Sequence, residues 1–336
     1  MRRSARLSFA AMSRLAQIMP DKPLLAIPNV SEGRRQATIE AIGQAFTAAG
    51  TARLLDVHSD VDHHRSVFTL AGVQGSLSSA LLAGARVAVE RIDVGEDRDA
   101  EETGVHPHVG ALDVMPLVYL DTGQRGAACA EALVVASVLG EDLRVPVFLY
   151  GELAQGRTRA ELRRGGVAGL ARRLSTGELR SDFGPPGMHQ TAGATLVAAR
   201  EPLVAFNLEL ASPASVQDAQ RIAGLLREGG AEGLSGLRAI GVSLSQSGTE
   251  TKSPMPPVRA GGMPPGEVVA QLSMNVERPL ELPLRAIVDA VRRHADIVCA
   301  ELVGLAPRAA FEDFPDDVPL PAFDPEAHLI ENALGF

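Results

Sequence analysis

The chemistry written into this chain is concentrated in its histidines. Five of the eight, His58, His63, His64, His106 and His108, fall in two short stretches, HSDVDHHR (58–65) and GVHPHVG (104–110). Histidine both gives and takes a proton near neutral pH, so two such stretches brought together could form an acid–base site. Asp56, Asp60, Asp62 and Asp113 stand close by in sequence, and a carboxylate bonded to one ring nitrogen fixes the tautomer and raises the basicity of the other. Two chemistries fit these residues. The histidines with Asp60 and Asp62 could hold zinc or manganese in an open hydrolytic site, although their spacing matches no specific metal motif. Alternatively one histidine moves protons while Arg65 grips a carboxylate with its planar fork, which needs fewer coincidences.

The elements around these stretches must present them. Pro107 fixes its own φ and biases His106 away from helix, while Gly110 frees the backbone just before the apolar run Ala111–Leu120, expected as a strand. Before it, strands are expected at Leu24–Val30, Ala52–Val57 and Ser66–Leu70, with His58–Arg65 as a loop, and helices at Arg34–Ala49 and Ser76–Ile92. A helix at Gly126–Leu143 and a strand at Val145–Tyr150 complete a mixed sheet with helices over one face. Arg157–Leu179 has no clean period and reads as short helices bridging two halves. Asp182–Gly193 (DFGPPGMHQTAG) is a loop whose glycines let backbone come close to a planar ligand.

The pattern then restarts. Strand Leu203–Leu210, helix Ser215–Glu228, strands Leu237–Leu244 and Val268–Val276, helix Leu284–His294 and strand Ile297–Leu305 spell the ferredoxin-like order βαββαβ. The fold expected is therefore α/β (α+β), with two subdomains, each a mixed sheet with helices packed on one face. Boundaries are expected at 23–180 and 181–306, with a C-terminal tail, 307–336, ending in a helix at Pro325–Leu334. The Pro- and Gly-rich segment 247–266, with Lys252 and Arg259, reads as an insertion in the central hairpin. Asn29 and Asn207, polar groups in the strands that open the two halves, are ligand-contact candidates.

Composition narrows the function. A chain of 336 residues, 46% hydrophobic, is long enough for two ordinary cores. Its net charge of −9 argues against nucleic acid or an anionic membrane as partner. No run reaches the roughly 18 apolar residues of a membrane span. With only Cys129 and Cys299, both in apolar runs, a disulfide framework is not expected and a reducing, cytoplasmic compartment is. Residues 1–22 carry four arginines and no acid before Asp21, and with Met12 and Met19 as later starts they read as a disordered or non-native extension.

Taken in order, IPNVSEGR (27–34), RSVFTLAG (65–72), HPHVGALDVMP (106–116), VPVFLYGE (145–152), TAGATLVAAR (191–200), VAFNLEL (204–210) and ELVGLAP (301–307) resemble the glutamate formimidoyltransferase (formiminotransferase domain) family. The resemblance implies two α/β subdomains around a substrate channel, in a homodimer. It implies transfer of a formimidoyl group from N-formimidoyl-L-glutamate to N5 of tetrahydrofolate, a step of histidine degradation and one-carbon metabolism. Tetrahydrofolate is then a co-substrate and no metal is expected. Catalytic acid–base work falls on His106, in the family's HPxxGALD motif. Substrate positioning falls on Arg65, His64, His108, Asp113, Asn29 and Asn207. Folate binding falls on the loop Gly184, Pro185, Pro186, Gly187, Met188, His189, Gln190, Thr191, Ala192 and Gly193. Three positions depart from the family pattern: His58 stands where an acid is expected, His64 where asparagine is, and His108 where arginine is. These departures keep open a related folate-dependent transferase with another donor, such as N-formylglutamate. A metal-dependent hydrolase and a noncatalytic folate-binding protein are the remaining alternatives.

Overall fold

The computed structural model describes residues 23–95, 107–244 and 269–335. His106, the extension 1–22 and the insertion 247–266 lie outside the described residues, as do Lys252 and Arg259 with it. Two sheets organise the chain, and the expected two-subdomain α/β architecture is the one observed.

The first sheet has seven strands: β1 (Leu24–Ala26), β2 (Asn29–Val30), β3 (Arg53–Asp60), β4 (Arg65–Gly72), β5 (Leu112–Val118), β6 (Val147–Leu149) and β7 (Thr195–Arg200). β1 and β2 share one row between β4 and β5, because Pro28 interrupts what reads in sequence as one strand. Proline cannot donate to a ladder; its carbonyl instead accepts the Phe68 N–H at 3.0 Å, and the Ile27 N–H reaches the Pro116 carbonyl at 3.0 Å. Helices α1 (Gln36–Thr47), α2 (Leu77–Arg91) and α3 (Arg125–Asp142) cover one face, where Phe46, Phe68, Leu81, Leu117 and Leu139 form the core. On the other face, α4 (Arg159–Arg163) and α5 (Gly166–Ser175) cover only the β5–β7–β6 end, with Leu162, Leu170 and Leu174 against Phe148, Leu196 and Ala198. These short helices therefore belong to the first sheet rather than bridging two halves.

Two further differences from the sequence reading matter for the site. β3 runs on to Asp60 and pairs Asp60 with Arg65, so His58 and Asp60 are strand residues and only four residues turn the hairpin. Thr195–Arg200, assigned from sequence to the second subdomain, is a buried strand parallel to β5 and β6. A strand covered on both faces carries no polar alternation, which is why it does not announce itself. We place the division between the subdomains after Arg200.

The second sheet follows the expected order: β8 (Val204–Leu210), α6 (Val216–Leu226), β9 (Leu237–Leu244), β10 (Val269–Val276), α7 (Leu284–Arg292) and β11 (Ile297–Val303). Its strands lie β11-β8-β10-β9, all antiparallel. Alternation sends Phe206, Leu208, Leu272 and Leu302 to a core with the helices, while Ala205, Asn207, Ser273, Asn275 and Val303 line a cleft shared with the first sheet. The C-terminal residues pack back onto the first sheet. α8 (Pro325–His328) and α9 (Ile330–Leu334) follow a bridge between Ala306 and Leu329, and Ile330 packs with Leu305, Leu25, Ala71 and Val118. Arg53 of β3 donates to the Ala333 carbonyl at 2.8 Å. No helix among the described residues is long and apolar enough to cross a membrane.

Candidate active site

The uncovered face of the first sheet and the opposing face of the second enclose the cleft. Period-two alternation on β3 and β4 brings His58, Asp60, Arg65, Val67 and Thr69 to it, with Asn29 from β2 and Val114 and Pro116 from β5. α4 adds Arg159 and Arg163, and Arg200 enters at the end of β7. Opposite them stand Asn207, Ser273 and Asn275.

One buried carboxylate organises this wall. Asp113, 1% exposed, accepts Arg65 Nη1 at 3.1 Å and the Val109 N–H at 3.0 Å, and it also accepts Arg163. Arg65 is held from its other side by Asn29, whose Oδ1 accepts Nε at 2.9 Å while its Nδ2 donates to the Ile27 carbonyl at 2.8 Å. Burial would raise the Asp113 pKa, but Arg163, Arg65 and the Val109 N–H outweigh it and hold the carboxyl below its usual range. Burial brings Arg65 down to about 10, with Asp113 opposing the fall and Arg163 and Arg159 adding to it. Arg65 therefore remains a fixed cation at neutral pH, its plane set by two partners.

A second polar group spans the two sheets. His58 Nε2 of β3 lies 3.4 Å from Glu301 Oε1 of β11, and Glu301 Oε2 accepts Asn207 Nδ2 at 2.8 Å. Burial opposes the imidazolium, but the hydrogen bond and charge of Glu301, backed by Asp56 and Asp60, outweigh it and raise the His58 pKa above the usual 6.5. Burial likewise opposes the Glu301 charge, and His58 and Asn207 overcome it to bring that pKa below 4.5. Asp60 caps the hairpin turn, its Oδ1 accepting the His63 N–H at 2.6 Å; despite burial, the His63 ring and backbone bring its pKa to about 2.

The residues singled out from sequence divide clearly. Asn29, Arg65 and Asp113 come together at the cleft wall, and Asn207 faces them across it. His64 does not line the cleft. It is 7% exposed, has φ +48°, and its Nδ1 accepts the Gly33 N–H at 3.1 Å beside Glu32, so it holds a loop. His108 is half-buried and lines neither this cleft nor the cavity beside it. The loop Gly184–Gly193 lines neither. Its glycines serve approaches within the chain: a Cβ on Gly184 would meet the Val145 carbonyl at 2.7 Å, and one on Gly193 the Val109 carbonyl at 2.4 Å. His189 Nδ1 accepts the Ala192 N–H at 3.0 Å and folds the loop on itself. A bridge between Gly110 and Gly193 ties this loop to the stretch that follows His106 and His108.

His58, named from sequence in the histidine cluster, lines the cleft; sequence reasoning passed over Arg159, Arg163, Arg200 and Glu301. The signal available was an arginine closing the apolar run TLVAA at Arg200 and one acidic residue inside the apolar strand IVCAELV at Glu301. Arg159 and Arg163 are hidden in a run where arginine is common. Among the described residues, no group of three or more His, Cys, Asp or Glu is placed to hold a metal ion.

Two α/β layers closed on a cleft of fixed guanidinium and carboxylate groups are the architecture of a small-molecule enzyme site. The family model described as formiminotransferase domain, N-terminal subdomain, matches residues 24–200, which covers β1 to β7. The chain belongs to the formiminotransferase family, whose members are transferases. It is 31% identical to a glutamate formimidoyltransferase of Streptococcus pyogenes serotype M1, over 92% of this chain and 97% of that protein. Identity to a glutamate formimidoyltransferase of Thermoplasma acidophilum is 29%, over 85% of this chain and 89% of the relative. A formimidoyltransferase-cyclodeaminase of Gallus gallus is 33% identical over 85% of this chain, which spans half of that longer protein.

Two outcomes follow from the geometry. Asp113→Ala leaves Arg65 and Arg163 facing each other without a counter-charge, and should cost roughly 3–5 kcal/mol in urea denaturation; a loss under about 1 kcal/mol would show that the carboxylate is not their anchor. The His58 pKa is raised, so the His58–Glu301 attraction is complete below about pH 6.5 and is lost as pH rises through the raised value. It is lost separately in acid, as pH falls through the lowered pKa of Glu301. His58→Gln should therefore flatten the decline of Tm on the alkaline side of 6.5. Parallel Tm profiles for the two proteins would exclude the pair as the cause.

Proposed function

We propose that this chain transfers the formimidoyl group of N-formimidoyl-L-glutamate to N5 of tetrahydrofolate. Family membership carries this reading, together with a cleft whose guanidinium groups suit two substrates that both bear carboxylates. In the reaction, N5 of the folate attacks the amidine carbon and gives a tetrahedral adduct. His106 takes the N5 proton and delivers it to the glutamate nitrogen as the carbon–nitrogen bond to glutamate breaks. The products are 5-formimidoyltetrahydrofolate and glutamate, and the histidine ends in the state in which it began.

The remaining residues work on position and charge. Arg65, fixed between Asn29 and Asp113, offers a permanent cation to a substrate carboxylate or to negative charge at the reacting centre. His108 adds a charge that depends on pH, where arginine would have given a permanent one. The loop Gly184–Gly193 remains our folate-contacting candidate by resemblance, close to the His106 stretch through the Gly110–Gly193 bridge. We assign the working form to a cytoplasmic homodimer; Leu133 and Val134, exposed on α3, supply apolar surface of the kind a second copy covers.

Incubation of the purified protein with tetrahydrofolate and N-formimidoyl-L-glutamate should produce 5-formimidoyltetrahydrofolate, followed by its absorbance. His106→Ala should lower kcat by about a hundred- to ten-thousandfold, with tetrahydrofolate affinity nearly unchanged. A parallel reaction with N-formyl-L-glutamate tests the other donor. Absence of product from the formimidoyl donor, with folate bound, would refute the assignment.

A further inference from the structure

The cleft does not end at Arg65. Beyond it lies a second cavity, lined among others by Arg157, Arg238 and Glu277, and the two cavities share Arg159, Arg200 and Leu203. Arg159 and Arg200 therefore stand at the neck between an inner chamber, which holds Asn29, Arg65 and Asn207, and an outer one.

The other arginines around this neck have carboxylate partners. Arg65 and Arg163 share Asp113, Arg157 pairs with Asp182, and Arg238 lies 3.2 Å from Glu277. Arg159 and Arg200 have no carboxylate within ion-pair distance among the described residues. Arg159 lies with its Cζ 5.8 Å from the Tyr150 ring centroid, a contact that orients a guanidinium without neutralising it. Arg200 spends one N–H on the Glu201 carbonyl at 2.8 Å, while its buried Nε has no acceptor. The Tyr150 hydroxyl, on a residue 6% exposed, lies beside the Arg200 guanidinium and makes no well-aligned hydrogen bond. Burial brings the Arg200 pKa down to about 10; the neighbouring Tyr150 phenol opposes the fall and the Arg159 charge adds to it. Two like charges at one neck, with a buried Arg200 Nε–H that meets no acceptor, are costly unless an anion joins them. The backbone of Arg159 is pinned by the preceding Thr158, which forms a reciprocal cap with Glu161.

We propose that Arg159, Arg200 and Tyr150 form a subsite for a glutamyl carboxylate, binding it at the neck so that the rest of the ligand extends into the inner chamber. This rests on the function proposed above, in which both substrates carry that group: the donor is a substituted glutamate, and the folate ends in one. A planar guanidinium meets a carboxylate with two parallel hydrogen bonds, and the phenol adds a third donor. The subsite positions substrate and takes no part in proton transfer.

The test uses the full chain and Arg159→Met, which keeps the bulk of a half-buried side chain and removes its charge. The expected result is a KM for one substrate raised roughly ten- to a hundredfold, with kcat within about threefold. A rise for N-formimidoyl-L-glutamate assigns the subsite to the donor. A rise for tetrahydrofolate but not for tetrahydropteroate, which lacks the glutamate, assigns it to the folate. Arg200→Lys, which retains charge and loses the fork, should raise the same KM. Unchanged KM values for both substrates in Arg159→Met would overturn the subsite while leaving the transferase assignment intact. Glutarate supplies a readout independent of turnover: it should raise the Tm of the unsubstituted protein and have a much smaller effect on Arg159→Met. Equal Tm shifts in the two proteins would also overturn the subsite, and a wild-type enzyme without transfer activity would instead refute the function.

Discussion

A single buried carboxylate with a guanidinium on either side sets the architecture of this site. Removing Asp113 from water is costly, and the cost is met only because Arg65 and Arg163 arrive from different elements with the Val109 N–H completing the shell. That requirement fixes several things at once. It ties β4 to β5, it draws α4 down over the open face of the first sheet, and it anchors the end of the stretch that carries His106 and His108. Arg65 gains a defined plane from the same arrangement through Asn29. The geometry offered to a substrate is thus a by-product of satisfying one ion.

The second sheet completes what the first begins. Its contribution is a face of small and polar side chains, Ala205, Asn207, Ser273 and Asn275, opposite the arginines. Glu301 joins the two layers by meeting His58, at a position where the resemblance implied an acid. Two carboxylates facing each other there would repel; an imidazole and a carboxylate attract. A histidine at position 58 therefore sets both the charge of the cleft and the force between its walls.

Much of this could be read from residues alone, for reasons that differ by element. The second subdomain announced itself through Phe206 and Leu208 alternating with Ala205 and Asn207, and through helices bounded by Ser215 and Pro283, because one face of each element meets water or a polar cleft. Arg65 and Asp113 stood out as charges beside apolar strands. Thr195–Arg200 did not, since a strand buried on both faces loses the period that marks it. The hairpin was drawn too short because His58 and Asp60 are polar, yet alternate polar residues are what a strand facing a charged cleft requires. Arg159 and Arg200 were invisible as a pair: nothing local links residues that a parallel crossover brings to one neck. His64 illustrates the opposite error, a residue striking in composition whose ring serves the Gly33 backbone.

The C-terminal residues bear on the order of assembly. The hydrogen bond from Arg53 to Ala333 joins positions 280 residues apart, and the cluster of Leu25, Ala71, Val118, Leu305 and Ile330 draws on strands from the start of the chain and a helix near its end. Contacts of such separation carry the largest loop-closure entropy and form late. The first sheet contains all its own strands by Arg200 and has its own core, so it can condense before β8 to β11 exist. The apolar seam that seats the final helix against the first strand is then the last part of the molecule to be finished.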